Sequence, residues 1–314
     1  MMRVSVIIPF FNRSHTMERC LISVQKQTLR DYECLIIDDG SDPNEALGLQ
    51  RITNNLNDER FRIITMKTNR GGGAARNAGI EQAQGEFVAF LDSDDEWLPL
   101  KLEKQLEFSL KQDQPFISCQ SFVHYAGGMG VLPTRSLSAE LISDYLFCKN
   151  GWLPTPSFFL RRDALGMTRF DESLPRHQDY DFLLELENMG VTASLLMEPL
   201  VIVHWEDMHA SGRAFNIENS KRFLSMHRQH FSDASASCFW AQFVIIPSTI
   251  VIGRFHGLHE LLRMNLRFLI YNRNLTINTI SHLIFRDDRI LRWIKKFGSQ
   301  KHSPLNGITE KTGK

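Results

Sequence analysis

The sequence lacks the features that mark membrane-spanning and disulfide-stabilised proteins. Its five cysteines are scattered, odd in number and without a CxxC pair, which argues against a disulfide framework or a zinc site and fits a reducing compartment. A strand pattern starts directly after Met2, so we expect no signal peptide. The longest apolar stretch, residues 239–252, contains Gln, Pro, Ser and Thr and is too short to cross a bilayer. We therefore expect a soluble, cytoplasmic body.

The net charge is zero, but the charged residues are distributed unevenly along the chain. The 36 Lys and Arg residues balance the 36 Asp and Glu residues. From Arg254 onward, twelve basic residues stand against four acidic ones, so this tail carries +8 and the preceding body −8. Apolar and aromatic residues alternate with basic ones in the tail, a mixture found in core-packing helices and in helices that lie on membranes. Both interpretations stand here, and we predict a peripheral location on anionic membrane at the inner face of the cell.

The central motif of the sequence is the apolar run at residues 87–91. A run of this kind predicts a buried strand of a parallel sheet, and four acidic residues follow it: Asp92, Asp94, Asp95 and Glu96. Ligands of open α/β sheets bind outside the carboxyl ends of the strands. Carboxylates at that edge would repel a bare phosphate, so a hard cation such as Mg²⁺ or Mn²⁺ would have to lie between them. A solvated acidic turn is the alternative interpretation.

Three further strands are predicted before this one, at residues 4–9, 33–37 and 61–66. The second of them also leads into acidic residues, Asp38 and Asp39, followed by a turn glycine, Gly40. Ser14 is a plausible N-cap for a helix after the first strand. Four strands that alternate with helices in about ninety residues predict a doubly wound, mostly parallel sheet.

A glycine-rich segment, residues 69–79, lies between the third and fourth strands. Three glycines and several small residues allow close approach of the backbone, and the N-terminus of a following helix would favour an anion. The segment has neither the spacing of a dinucleotide-binding fingerprint nor a GxxxxGK[ST] loop. A tight loop before a closely packed helix would also explain it.

The second half of the body predicts a mixture of elements. A helix is expected over 100–111, a strand over 116–125, a turn at 127–130, an extended segment over 154–160, and strands over 191–196 and 200–204. A polar loop enters a helix near Gln178, which places Asp179 and Asp181 in the first helical turn. Simple helix capping is the alternative for these two carboxylates. From about Ser211 the pattern becomes mostly helical.

Five segments, taken in order, resemble the motifs of family 2 glycosyltransferases, which have the nucleotide-sugar-binding GT-A fold. They are residues 4–12, 37–41, 69–79, 91–95 and 174–181, and together they cover roughly residues 1–210. They look like the opening strand, the second acidic motif, the N-x-G…ARN-x-G segment, the DxD metal motif and the ED region. Gln178 stands where many members have Glu. The absence of a Q-x-x-R-W sequence argues against the processive polysaccharide synthases of the family.

The resemblance implies a role for each matching position. Asp179 would be the catalytic base. Donor-nucleotide contacts would come from six residues: Pro9, Phe11, Asp39, Arg76, Asp92 and Ser93. Asp94 would hold the metal, Mn²⁺ or Mg²⁺, and His204 and His209 lie where members often have a histidine near the metal, His209 being our choice of ligand. The implied organisation is a nucleotide-sugar-binding half (1–100), an acceptor-binding half (101–212) and a helical basic extension (213–314).

The implied activity is that of an inverting, metal-dependent hexosyl- or hexosaminyltransferase. It would move a sugar from a nucleotide-diphosphate sugar, expected to be a UDP-sugar, to a glycan or lipid-linked acceptor in lipopolysaccharide or capsule synthesis, with no nucleic-acid partner. Two alternatives remain. A nucleotidyltransferase would carry a basic glycine-rich loop after the first strand, and residues 10–13 do not form one. A non-catalytic, nucleotide-sugar-binding relative is favoured only by Gln178.

Overall fold

Four strands from the first ninety residues form a parallel sheet. They are β1 (Val4–Phe10), β2 (Tyr32–Asp38), β3 (Phe61–Thr65) and β4 (Phe87–Phe90), in the spatial order β3-β2-β1-β4. The side chains of β1, β2 and β4 are almost all buried because helices cover both faces of such a sheet. The predicted strands and their parallel order are confirmed. The acidic residues that follow β2 and β4 therefore lie at one edge, on either side of the end of β1.

Four helices accompany these strands: α1 (Ser14–Gln25), α2 (Pro43–Leu56), α3 (Gly72–Gln82) and α4 (Lys101–Gln112). Helix α1 buries the predicted face, with Met17 and Leu21 inaccessible to solvent. The prediction of Ser14 as N-cap is wrong, since the cap position is Arg13 and Ser14 is the first helical residue. The backbone N–H of Ser14 donates to Glu45 Oε2 at 2.8 Å, so a carboxylate on α2 satisfies a donor that a cap would otherwise satisfy.

The second half of the sheet is mixed. It contains β5 (Glu96–Trp97), β6 (Phe116–Tyr125), β7 (Gly128–Leu132), β8 (Phe159–Arg161) and β9 (Ser194–His204). Strand β8 lies antiparallel between β4 and β6, whereas β6 and β9 are parallel to each other. Helix α5 (Gln178–Asn188) begins where the sequence predicts, with Asp179 and Asp181 in its first turn. The α/β fold class is confirmed, with antiparallel strands added in the second half.

Two sequence predictions in this half are wrong. Residues 128–130 do not form a turn but belong to β7, which pairs antiparallel with β6. Two of its five residues are glycines, which are uncommon in strands, so the sequence favours a turn. The two strands predicted at 191–196 and 200–204 are one strand, β9. Its pairing with β6 shifts register between Cys119 and Ser121, and this irregularity interrupts the hydrophobic alternation on which the prediction rested.

The structure, a computed structural model, describes residues 2–125, 128–205, 216–252 and 259–260. The chain divides into two compact units, one of residues 1–137 with 152–212 and one of residues 138–151 with 213–314. The first unit holds the sheet and its core. The domain boundaries predicted from the resemblance stay a prediction.

The second unit is helical where it is described. It contains α6 (Ile217–Met226), α7 (Asp233–Trp240), α8 (Ile246–Val251) and two π-helical segments, Asp144–Cys148 and Ala241–Ile245. An aromatic cluster of Phe147, Phe223, Phe231 and Phe239 forms its interior. Among the described residues, no helix combines the length and the apolar character that crossing a membrane requires. Most of the basic tail from Arg254 lies outside the described residues.

Candidate active site

The turns that follow β1 and β2 are joined by hydrogen bonds. The backbone N–H of Asp39 donates to the carbonyl of Phe10 at 2.9 Å, and the amide of Asn12 both donates to and accepts from Asp42. Phe11 lies next to this junction with 43% of its surface exposed, and Pro9, near the end of β1, is partly buried. An exposed aromatic ring above a strand end can stack on a planar ligand. The positions of Pro9 and Phe11 are thus compatible with the nucleotide contacts that the resemblance implies.

Asp39 lies buried at the centre of this edge. Its carboxylate accepts hydrogen bonds from the backbone N–H groups of Arg70 and Gly71, at 2.8 and 2.7 Å. Burial raises the pKa of Asp39, although these two hydrogen bonds oppose the shift. The next residue is Gly40, with φ +70°, and a Cβ there would lie 2.7 Å from the backbone of Thr68. The glycine therefore lets the β2 turn approach the segment that leads into α3.

The acidic turn after β4 holds its carboxylates in different ways. Asp92 pairs with Arg76 of α3 at 2.5 Å, and Asp94 pairs with Arg13 from the loop after β1. Asp95 accepts from the backbone N–H of His204 at 3.0 Å, and burial together with its acidic neighbours raises its pKa. Asp92 and Asp94 therefore face cationic groups of other loops, whereas Asp95 fastens the turn to β9.

The remaining residues of the turn fix its backbone. The carbonyl of Ser93 accepts from the hydroxyl of Thr16 at 2.9 Å, and the carbonyl of Asp94 accepts from Arg19 at 2.7 Å. Glu96 contacts the ring of His204, Oε1 to Nε2, at 2.9 Å. Helix α1 thus holds the main chain between Asp92 and Asp94 while leaving their carboxylates directed to arginines.

The donor set at this turn fits a hard divalent cation. Asp92 and Asp94, two positions apart in this turn, both offer carboxylate oxygens, and both side chains remain partly accessible. Oxygen donors of one or two carboxylates are the usual protein contribution to a Mg²⁺ or Mn²⁺ site. His204 is engaged with Glu96, and the predicted ligand His209 lies outside the described residues.

Asp179 is brought to the same edge by α5. Burial raises its pKa; the N–H groups of Tyr180 and of Asp179 itself, together with the charge of Arg76, oppose the shift, and the charge of Asp92 adds to it. The side chain is nevertheless partly accessible. A carboxylate with a raised pKa in a cleft can act as a proton acceptor.

Asp181, the other candidate in this turn, is placed differently. It is 3% exposed, and its Oδ2 accepts from the backbone N–H of Asp171 at 3.3 Å. This contact ties α5 to the preceding loop. Of the two aspartates, Asp179 is the one whose surroundings suit proton transfer.

Sequence reasoning gave no role to Arg13 or His177 at this edge, and it noted Gln178 without its contacts. Arg13 is the partner of Asp94, Gln178 contacts both Arg76 and the carbonyl of Leu174, and His177 caps α5 in the left-handed conformation with φ +66°. A basic residue directly after the first strand was the available signal for Arg13. The contact of Gln178 with Arg76 joins residues 102 positions apart, so no local pattern indicates it, and the left-handed conformation of His177 has no glycine or asparagine to signal it.

Comparison with known proteins agrees with this geometry. The profile described as glycosyl transferase family 2 matches residues 5–171, more than half of the chain. The amylovoran biosynthesis glycosyltransferase AmsB of Erwinia amylovora is 30% identical over 207 residues, 64% of this chain and 69% of that protein. The chain belongs to glycosyl transferase family 2, and it is a glycosyltransferase.

Further relatives match over shorter stretches. The Escherichia coli protein named UDP-Glc:alpha-D-GlcNAc-diphosphoundecaprenol beta-1,3-glucosyltransferase WfgD is 38% identical over 114 residues, 36% of this chain and 44% of that one. The putative teichuronic acid biosynthesis glycosyltransferase TuaG of Bacillus subtilis is 41% identical over 123 residues, 39% of this chain and 46% of that one. The chain spans less than half the length of either protein.

Solved structures share the fold. TarS 1–349 of S. aureus in complex with UDP-GlcNAc superimposes with a TM-score of 0.60 at 20% identity, covering 92% of this chain and 83% of that one. The mannosyltransferase PcManGT of Pyrobaculum calidifontis, in complex with GDP-Man and Mn²⁺, gives 0.53 at 14% identity, covering 95% and 88%. At these identities the likeness supports the GT-A-like fold alone.

Proposed function

We propose that the protein transfers a sugar, with inversion, from a nucleotide-diphosphate sugar to a glycan or lipid-linked acceptor during cell-surface polysaccharide synthesis. The observation that carries the proposal is the placement of Asp179: α5 puts this carboxylate, with a raised pKa, under the influence of the Arg76–Asp92 ion pair at the carboxyl ends of the parallel strands. The names of AmsB, WfgD and TuaG support the process, since each is a glycosyltransferase of polysaccharide or lipid-linked glycan synthesis.

The donor would bind along the junction of β1 and β2. Asp39 and Phe11 would contact its base, and Arg76, Asp92 and Ser93 would face its ribose and diphosphate. A UDP-sugar is the expected donor because WfgD is named for UDP-Glc and TarS was solved with UDP-GlcNAc. A divalent cation held by Asp94 would neutralise charge on the departing diphosphate.

The residues of this chain would supply the remaining chemistry. Asp179 would accept the proton of the acceptor hydroxyl as that oxygen attacks the sugar carbon from the side opposite the diphosphate. Arg76 would hold Asp92 and keep positive charge beside the leaving group. A positioned base of this kind contributes typically about 10²–10⁴-fold to the rate.

The first test is a titration of UDP with and without Mn²⁺, followed by thermal-shift assays and assays of nucleoside-diphosphate release: UDP from UDP-glucose and UDP-N-acetylglucosamine, and GDP from GDP-mannose. We expect Mn²⁺-dependent UDP binding, and UDP release that is lost in Asp94→Ala and on addition of EDTA. Mn²⁺-dependent binding with no release from any donor would favour the non-catalytic alternative. Full activity of Asp94→Ala would exclude Asp94 as the metal ligand.

The basic tail would add a peripheral membrane attachment. Its charge of +8 from Arg254 onward would favour an anionic surface by about 1 kcal/mol for each basic residue near it, with screening by salt. We expect the full chain to co-sediment with vesicles containing phosphatidylglycerol, and a chain ending at residue 253 to remain in the supernatant. Salt-independent sedimentation of the shortened chain would contradict this.

A further inference from the structure

The side chain of Gln178 connects three segments of the candidate active site. Its Nε2 donates to the carbonyl of Leu174 at 2.6 Å, and its Oε1 accepts from Arg76 Nη1 at 3.4 Å. Arg76 in turn pairs with Asp92 at 2.5 Å. A hydrogen-bonded chain therefore runs from the loop before α5, through Gln178, to α3 and the acidic turn.

The loop that Gln178 closes has a conformation that needs support. His177 lies between Leu174 and Gln178 with φ +66°, a left-handed conformation that costs a residue with a Cβ about 1 kcal/mol or more. Its ring is buried and stacks on Tyr180 at a centroid distance of 5.5 Å. The amide of Gln178 spans this turn, and the next residue along the chain is Asp179.

Glycines at the start of α3 make room for the amide. A Cβ at Gly73 would lie 3.0 Å from Gln178 Nε2 and 3.2 Å from its Cδ, and a Cβ at Gly72 would lie 3.2 Å from Arg76 Nη1. The Gln178 amide could move away from a Cβ at position 73 only by weakening its hydrogen bond with Leu174 or Arg76. The close approach of α3 and α5 thus depends on small residues opposite Gln178.

Only an amide satisfies both contacts. A glutamate at 178 could accept from Arg76 but could not donate to Leu174, and its carboxylate would face that carbonyl oxygen. It would also place a second negative charge beside Arg76 and Asp179. We propose that Gln178 is a positioning residue that holds the loop carrying Asp179 against the start of α3, and this inference rests on the proposed role of Asp179 as base.

The test compares Gln178→Glu, Gln178→Leu and Gly73→Ala with Ser173→Ala, an exposed position in the same loop, as matched control. We expect kcat for UDP release to fall about 10- to 100-fold in Gln178→Leu and Gly73→Ala with donor KM nearly unchanged, because misplacement of a catalytic group affects turnover. In Gln178→Glu the acid limb of the pH–rate profile should move upward, because a like charge raises the pKa of Asp179. Ser173→Ala should match the wild type.

Amide hydrogen exchange of residues 174–180 gives a readout independent of activity. We expect faster exchange in all three variants than in the control, because each weakens a contact that holds this loop. Wild-type exchange and wild-type kcat in Gln178→Leu would overturn the positioning role. Retained transfer by Asp179→Asn would instead overturn the proposed base, and the exchange result would still decide the role of Gln178.

A second, independent observation concerns two thiols in the helical unit. Cys148, at the end of the π-helical segment Asp144–Cys148, lies with its Sγ 2.9 Å from Sγ of Cys238 on α7. Cys238 is buried and Cys148 is partly accessible, whereas the thiols of Cys20, Cys34 and Cys119 are fully buried. Gln242, in the π-helical segment that directly follows α7, donates to the carbonyl of Phe147 at 2.8 Å and fixes residues near both thiols.

The geometry points to Cys148 and Cys238 as a site of reversible disulfide formation under oxidising conditions. With hydrogen peroxide as oxidant, the two S–H bonds break with loss of two protons and two electrons, one S–S bond forms, and the O–O bond breaks to give two waters. The neighbouring sulfur and burial raise the pKa of Cys148, so thiolate is scarce at neutral pH and the reaction should be faster in mild alkali.

The test treats the reduced full chain with hydrogen peroxide at pH 8.5 and maps its peptides without reduction. We expect a Cys148–Cys238 linked peptide, a mass loss of two hydrogens, reversal by dithiothreitol, and no link in Cys148→Ser. The peptides of Cys20, Cys34 and Cys119 should stay reduced. Sulfinic acid at Cys148 without a link, or links that involve the other cysteines, would overturn the assignment.

Discussion

Arg13 forms an ion pair with Asp94 and so joins the loop after β1 to the acidic turn after β4. The carboxylate that we assign to the metal is thus also the partner of a guanidinium from a neighbouring strand end. A divalent cation and Arg13 would compete for it, and the free energy of the ion pair would be subtracted from that of metal binding. The pair links metal affinity to the conformation of the β1 loop.

Arg13→Gln is expected to tighten the binding of Mn²⁺ alone several-fold, because it removes both the competing partner and a positive charge at the turn. Calorimetry or electron paramagnetic resonance of added Mn²⁺ measures this directly. Arg3→Gln is the matched control, since it breaks an ion pair with Glu86 at the opposite, amino ends of β1 and β4. Equal affinity of Arg13→Gln and the wild type for Mn²⁺ would show that Asp94 is not the ligand.

Asp39→Ala is expected to raise the donor KM more than it lowers kcat. A contact with the base is made equally in the ground and transition states, so its loss is a loss of binding. The same substitution frees the N–H groups of Arg70 and Gly71, which adds a smaller effect on α3. Steady-state kinetics of UDP release, with Asp31→Ala at the exposed amino end of β2 as control, measure the two parameters. An unchanged donor KM would exclude the assigned role.

Asp179→Asn is expected to keep Mn²⁺ and UDP binding while transfer falls by several orders of magnitude, because the amide cannot take the acceptor proton. In the wild type, the base must be ionised and burial raises its pKa. Activity should therefore be lost, as pH falls, at a value above the ordinary aspartate pKa of about 3.9. The pH–rate profile and UDP calorimetry of both proteins check this. Near-normal transfer by the variant would place the base elsewhere.

Lys101→Met is expected to stabilise the fold. Lys101 at the start of α4 is fully buried, with its Nζ 3.8 Å from the centroid of the Trp97 ring and 3.4 Å from the carbonyl of Phe158. Burial lowers the pKa of Lys101 to about 7. Between that pH and about 10.4 the unfolded chain binds more protons than the folded one, so wild-type stability should rise with pH in this window.

Below pH 7 the amine is charged in both states, and the full cost of burying the charge, of the order of a few kcal/mol, is present. The gain from Lys101→Met should therefore be largest at and below neutral pH and vanish above about pH 10. Urea denaturation at several pH values measures it. Lys111→Met, at the exposed end of the same helix, is the control and should show no such pH dependence.

The sequence predicts the parallel half of the fold well and its second half less well. Strands such as β1 and β2 are buried on both faces and are mostly apolar, with Ser5 and Glu33 among the buried exceptions, so burial and hydropathy largely coincide. Strand β7 has two glycines among its five residues and only one buried position, and β9 is irregular, so neither leaves a regular pattern. Pairing with β6 makes β7 a strand and joins the two predicted segments of β9 into one.

The candidate site is likewise predicted only in part from the sequence. The acidic strand ends and the position of Asp179 follow from local patterns and from the resemblance. The ion pair of Arg13 with Asp94 joins residues 81 positions apart, and the contact of Arg76 with Gln178 joins residues 102 positions apart. A local sequence pattern does not indicate which distant side chains come into contact. Only the structure identifies the residues that pair with the carboxylates of the site.

The register shift between β6 and β9 has a consequence for the tolerance of the chain to insertion and deletion. Cys119 pairs with Leu196 but Ser121 pairs with Val201, so three additional residues of β9 are accommodated opposite a short part of β6. Because side chains alternate between faces, an odd number of additional residues reverses the alternation. Removing one residue here would turn Val201 and Val203 out of the core and His204 away from Glu96. Over evolutionary time, this part of β9 should accept substitutions readily and changes in length hardly at all.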